Sequence, residues 1–359
     1  MNAATPGPTS LATEFNPRST ARVTPRVWLP PLIVAVFYPL LIASFPPAMA
    51  AYRGSGNIAA AACALASILI AASIPLLAVR ALVLIRHQEG ATLSRGFLYL
   101  MCAVPSLFTL FHTIAGRVGI IGPGRGYTAI TLLWMSAWLV VAATLHLTTS
   151  TTSAVSPHRE QLPLRVIHGV AALCVLCGYA IAHLVNNGLA LWSVELYGAA
   201  LQFLRLWYRS EWVEPVLLAL LLVMVCTGVP MVAQFSRQRV DRFRVVQMAS
   251  GVALGMFLVS HVSATLLARS AGVETNWAFA AGPTSLLDAT GLAGRLIPHY
   301  FYAVLNLSVH VACGLRIVLL HHGVTKVVAN KVLFGLALAG LLGTAVIMAA
   351  LLGIHVENA

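Results

Sequence analysis

Nine stretches of about 20 mostly apolar residues dominate this chain, and each is long enough to cross a ~30 Å hydrocarbon layer as a helix. They run 28–50, 57–84, 97–115, 127–148, 165–186, 213–235, 245–268, 298–320 and 332–354. In lipid every backbone polar group must be satisfied within the protein, so runs of this length allow helices and little else. The composition agrees. Charged residues make up 9% and apolar residues 59% of the 359 residues, and the mean hydropathy is +0.87. So few charges cannot cover a water-soluble surface. The fold class expected is an all-α, polytopic membrane helix bundle of about nine transmembrane helices.

The charged residues set an orientation. Fifteen of the 22 basic residues fall on the side that holds the N-terminus, and seven (Arg53, Arg117, Arg125, Arg205, Arg209, Arg269 and Arg295) fall on the other. Basic loops stay cytoplasmic, which predicts N-in, C-out, in a membrane of the bacterial inner-membrane type. The same charge draws anionic lipid heads. It forms no continuous patch with interleaved aromatics, so nucleic acid is not an expected partner. Residues 1–26, rich in Pro, Ser, Thr and Ala, read as a disordered cytoplasmic tail and not as a signal peptide. Segment 187–212 is amphipathic and aromatic and is expected to lie along the outer interface. Segment 269–297 is expected to cap the same face. Pro31, Pro39, Pro46 and Pro47 are expected to make the first span irregular.

Twelve histidines are many for so apolar a chain. His112, His146, His183, His261 and His310 fall inside spans, while His168, His299, His321 and His322 lie nearer the interfaces. Ionisable side chains at membrane depth are costly and face the bundle interior. Neutral imidazoles on different helices suit axial ligation of haem iron, whose apolar porphyrin fills the space between helices. His183 lies about 6 Å and His261 about 12 Å from the outer edge, at 1.5 Å per residue. A bis-histidine haem between them is geometrically sensible, and His310 belongs to a deeper site. Cys174 and Cys177 have the spacing of a redox or metal pair, but within an apolar helix they read as small packing residues. Arg95 precedes His112 by the same 17 residues that separate Arg244 from His261, which hints at an old duplication of a four-helix unit.

Four local patterns then appear in order. Ala182-His183-Leu184-Val185-Asn186 ends one helix. Glu214-Pro215-Val216-Leu217-Leu218 opens the next. Gln247 and Ser250-Gly251 precede Phe257-Leu258-Val259-Ser260-His261. His299-Tyr300 leads to His310-Val311-Ala312-Cys313-Gly314-Leu315. On these patterns residues 165–355 resemble the five-helix, two-haem cytochrome b membrane anchors of succinate dehydrogenases and fumarate reductases.

The resemblance implies a five-helix cytochrome b-like domain over 160–356, beside a four-helix unit over 27–150. It implies one or two haem b groups, with His183 and His261 as ligands of the outer haem and His310 as a ligand of the inner one. The second inner ligand should come from the middle of the helix that opens at Glu214. No histidine stands there, so Met224 is the replacement candidate and a departure from the family pattern. His168 is a further option, better suited to a propionate or a lipid head.

The function implied is transmembrane electron transfer, as the membrane subunit of an oxidoreductase or as a free-standing haem protein. Quinone, or a redox subunit docked on the cytoplasmic side, would be the exchange partner. Glu195, Glu211 or Glu214 would accept protons near the outer haem. No dinucleotide fingerprint or iron–sulfur cysteine cluster accompanies these features. Two cofactor-free readings stand beside this one. In a transporter the histidines would relay protons or touch substrate, and in a membrane anchor or assembly protein they would be structural.

Overall fold

The computed structural model describes residues 23–88, 90–120, 127–147, 162–288 and 290–358. Most of the N-terminal tail and the connection 148–161 therefore lie outside the described residues. Among the described residues every regular element is helical. The long elements are α1 (Pro25–Ser55), α2 (Ile58–Ala72), α3 (Ile74–Ile85), α4 (Thr92–Cys102), α5 (Val104–Arg117), α6 (Thr128–Leu147) and α7 (Leu162–Val175). They continue with α8 (Ile181–Leu189), α9 (Val194–Tyr208), α10 (Val213–Phe235), α11 (Arg242–Ser270), the short α12 (Trp277–Ala281), α13 (Leu296–His321) and α14 (Lys326–Leu351).

With α2–α3 and α7–α8 each taken as one span, eight spans among the described residues are long and apolar enough to cross a membrane. The pair α4–α5, bent by 71°, is the remaining candidate. Its two ends settle whether it crosses or turns back. Arg95, in the first turn of α4, donates to the Ser236 carbonyl at 2.6 Å, beside the start of α11. Arg117, at the end of α5, donates to the Leu267 carbonyl at 3.1 Å, beside the end of α11. The bent pair thus runs the length of α11 and, taken as one span, brings the described residues to nine candidate spans, the number of apolar runs in the sequence. The break falls at Ala103, just before Pro105 at the N-terminus of α5, which has no N–H to continue the helix.

Proline acts differently in α1. Contrary to the expected irregularity, Pro25–Ser55 is one helix with five prolines inside it. Pro39 leaves the carbonyl of Ala35 without its N–H partner, and the Trp134 indole of α6 donates to that carbonyl at 2.7 Å. A neighbouring helix thus supplies the bond that proline removes.

Side-chain caps start several helices. Asn57 accepts from the backbone N–H of Ala59 at 3.0 Å, Asp241 from Arg244 at 2.8 Å, and Ser193 from Leu196 at 3.1 Å. Gly56, at φ +66°, closes α1 in the left-handed conformation that glycine adopts without penalty.

The two halves share one core. Phe235, Val245, Met248 and Ala249 of α10 and α11 pack with Tyr38, Phe108 and Trp134 of the N-terminal helices. That N-terminal interior is filled with aromatic rings: Phe108 meets Tyr38 edge-on at 5.3 Å and Trp134 at 5.0 Å. His112 lies beside Tyr127, at 6.1 Å between ring centres, within an interior otherwise filled by side chains.

The C-terminal spans are arranged differently. Contacts run from α7 to α10, α10 to α11, α11 to α13, α13 to α14 and α14 back to α8. This is a ring of five, and α11 and α13 also contact the N-terminal helices. Its inward side chains are only partly covered. His168, His183, His261 and His310, which face one another inside it, are each only half-buried, and a Cβ added to Gly255 of α11 would meet nothing within 4 Å. Protein interiors are normally close-packed, so this ring has room that its own side chains do not fill.

Charge separates the two ends. Where α10 ends and α11 begins, Arg165 and Arg244 lie over the Phe235 ring, and Arg242 and Arg316 over Phe243. At the other end lie the ion pairs Arg269–Glu214, Arg205–Glu274 and Arg53–Asp288. There α9 forms within segment 187–212, as expected from its amphipathic pattern, and leaves Phe203, Leu206 and Trp212 exposed. Segment 269–297 folds over this end as α12 and short 3₁₀ turns.

Candidate functional site

Four of the five residues singled out in the sequence meet inside the ring as two pairs. His183 of α8 faces His261 of α11 with ring centres 6.3 Å apart, and His168 of α7 faces His310 of α13 at 6.4 Å. The ring planes in each pair are inclined, at 59° and 69°. Two imidazoles hydrogen-bonded to each other would have closer centres. Two imidazoles bound to one metal ion, with bonds of about 2.0 Å, would place their centres roughly 6.3 Å apart.

The second ring nitrogen of three of these histidines is already engaged. His168 Nδ1 lies 2.9 Å from the Thr227 hydroxyl, and His310 Nδ1 lies 2.9 Å from the Gln247 carbonyl. His183 Nδ1 lies 3.2 Å from the Tyr179 hydroxyl, whose ring stacks on the imidazole at 5.1 Å. A partner at Nδ1 orients an imidazole and leaves Nε2 for a metal. His261 is held by stacking instead, on Phe257 at 5.1 Å.

The inner pair departs from the expectation at Met224. What stands across from His310 is His168. From the Met224 turn this level receives a backbone carbonyl, which accepts from Thr227, the residue that holds His168. Counting along α7 alone puts His168 at the end of its helix. The packing of the ring, a tertiary property, brings it opposite His310 at 6.4 Å.

Two local features let the rings approach. A Cβ on Gly251 would come within 2.8 Å of His310 Cε1, so only glycine leaves space for that imidazole. Between His168 and His183 the helix contains a π-turn, Leu176–Ala180, which carries Tyr179. Such one-turn insertions re-aim the residues that follow and gather at functional sites.

Nothing in the sequence pointed to Tyr179 or Thr227, and Gln247 and His299 stood in the family-like patterns without a role for either. His299 is buried, with its Nδ1 3.1 Å from the Ser106 hydroxyl of α5 and its ring 4.8 Å from Phe257. Phe257 therefore lies between His261 and His299. The remaining candidates fall elsewhere. Glu214 is engaged in its ion pair with Arg269. Cys174 and Cys177 carry no disulfide and are exposed on the surface of their helix.

No group of three or more His, Cys, Asp or Glu side chains that could hold a bare metal ion occurs among the described residues. Haem needs only two protein ligands, because the porphyrin supplies the other four. The residues present fit that group: paired imidazoles at ligation spacing, oriented Nδ1 atoms and incompletely filled surroundings. No family model, curated protein or solved structure matches this chain.

Proposed function

We propose that this chain is a membrane-embedded b-type haem protein that transfers electrons across the bilayer. Its two haems would be held by His183 with His261 and by His168 with His310. The observation that carries the reading is the recurrence of the same ring-centre spacing, 6.3 and 6.4 Å, at two depths of one helix ring. Isolated buried histidines in a transporter would have no reason to repeat it. The haem supplies reversible one-electron chemistry at iron. The protein's part is to fix the imidazoles, exclude water and set the surroundings. Tyr179, Thr227 and the Gln247 carbonyl hold the rings, and the apolar spans keep the path dry.

The end where arginines lie over Phe235 and Phe243 is the cytoplasmic face in this reading, with the His183–His261 pair in the outer half. Exchange with quinone, or with a redox subunit held by the basic inner loops, remains the functional class proposed. The five-helix cytochrome b anchors of succinate dehydrogenases and fumarate reductases are the nearest analogy, with His168 replacing the missing ligand of the second helix.

Absorption spectroscopy tests the proposal. Protein from haem-replete cells, reduced with dithionite, should show a b-type α band and contain two haems per chain. His261→Ala should remove one haem and leave the other. A colourless protein overturns the reading. A single haem that survives His261→Ala overturns the pairing.

A further inference from the structure

A cavity of about 280 Å³ lies against the outer histidine pair, on the side of α11 that faces α5 and α13. It does not belong to the ring interior. Its lining includes Ser260 and His261 of α11, Arg117 of α5, and Arg295, His299 and Tyr300 at the start of α13. Two arginines line it and no carboxylate does.

Arg295 is the more telling of the two. One guanidinium nitrogen donates to the Leu292 carbonyl at 2.9 Å, whereas its Nε is shut off from solvent without a hydrogen-bond partner. The Ser260 hydroxyl, fully enclosed, is also unpartnered. Tyr300, which lines the cavity beside it, is a neutral phenol and offers no compensating negative charge. A positive charge and two unused donors enclosed together are costly unless a bound group supplies the acceptors and the opposite charge. Arg117 stands exposed at the mouth of the same cavity.

We infer that this cavity binds an oxyanion, with Arg295 as its buried counter-charge, Ser260 as a second donor and Arg117 at the entrance. Guanidinium groups match carboxylate and phosphate oxygens through paired N–H donors. Two sources carry that chemistry here. One is a propionate of a haem held by His261, which rests on the functional reading above. The other is the phosphate of an anionic phospholipid, which does not.

The full-length protein in mild detergent distinguishes them. Wild type, Arg295→Gln and Arg295→Lys are titrated with phosphatidylglycerol and examined by native mass spectrometry, and their haems by redox titration. If the oxyanion is a lipid phosphate, Arg295→Gln weakens retention of one phosphatidylglycerol about tenfold, as loss of a charge-assisted bond implies. Arg295→Lys restores part of it, and the haem potentials stay unmoved.

If the oxyanion is a propionate, Arg295→Gln shifts one haem to lower potential at unchanged haem content, with lipid retention unaffected. A colourless protein removes the haem reading and its propionate, and the lipid titration then decides alone. Arg117→Gln, at an exposed position, gives the same two readouts should Arg295→Gln fail to fold. Unchanged lipid retention and unchanged potentials in the folded variants overturn the proposal.

Discussion

At the scale of single residues, the centre of interest is a glycine. Gly251 has no left-handed conformation to explain it. It is there because His310 Cε1 would lie 2.8 Å from any added Cβ. Gly251→Ala should push the His310 ring away from the His168 side and from the Gln247 carbonyl. The expected outcome is loss of the inner haem with retention of the outer one, read as haem content per chain; two haems in the variant would show that the ring moves freely. The same residues show what a linear sequence conveys. His183 and His261 were legible as a pair because both, counted along their helices, fall in the outer half. His168 was not legible as the partner of His310, because that pairing depends on how the helices pack. The place of His299 stayed hidden for a similar reason: the Ser106 hydroxyl and the Phe257 ring that define it come from α5 and α11.

At the scale of elements, all nine spans are visible as apolar runs, yet their breaks are not. Pro39 leaves α1 intact, whereas Pro105 follows a 71° bend. The difference lies in the neighbours. Trp134 meets the carbonyl that Pro39 frees. Hence Trp134→Phe, which keeps the aromatic contacts with Phe108 but removes the indole N–H, should cost about 1–3 kcal/mol for the carbonyl left unsatisfied. A thermal melt in detergent should show a lowered midpoint and an unchanged spectrum. An unchanged midpoint would mean that water or another donor reaches Ala35. At the α2–α3 break the Tyr302 hydroxyl donates to the Ala72 carbonyl at 2.5 Å, a second instance of a distant side chain repairing a span.

At the scale of the whole molecule, the structure is filled unevenly. The N-terminal helices bury aromatic rings against each other and against α11, while the five-membered ring leaves its interior half-covered. One part therefore reads as scaffold and the other as a holder. Charge gives the bundle its direction. Cations over aromatic rings mark one end, where Arg316 also pairs with Asp241, and three further arginine–carboxylate pairs among the described residues mark the other. The basic end should be cytoplasmic. A cysteine introduced at His322 should then react with a membrane-impermeant maleimide only in inverted vesicles, and one at Glu274 only in intact cells. The reverse pattern would invert the proposed topology.

One continuous helix, with a π-turn in its middle, carries both His168 and His183. Fifteen residues separate them, about 22 Å along the axis, while on α11 the interval from Gly251 to His261 corresponds to about 15 Å. These intervals are about half to three-quarters of a ~30 Å hydrocarbon layer. In the function proposed, an electron passing from one pair to the other would therefore move through much of the membrane's electric field. Carrying one charge across the whole field costs or releases about 2.3 kcal/mol per 100 mV. The occupancy of the two haems would thus respond to voltage as well as to reductant, making the protein a small capacitor coupled to the energised state of the membrane. In liposomes poised at intermediate reduction, a potassium diffusion potential should redistribute electrons between the two haem spectra, and reversing its sign should reverse the change. Spectra indifferent to the applied voltage would place both pairs at the same electrical depth.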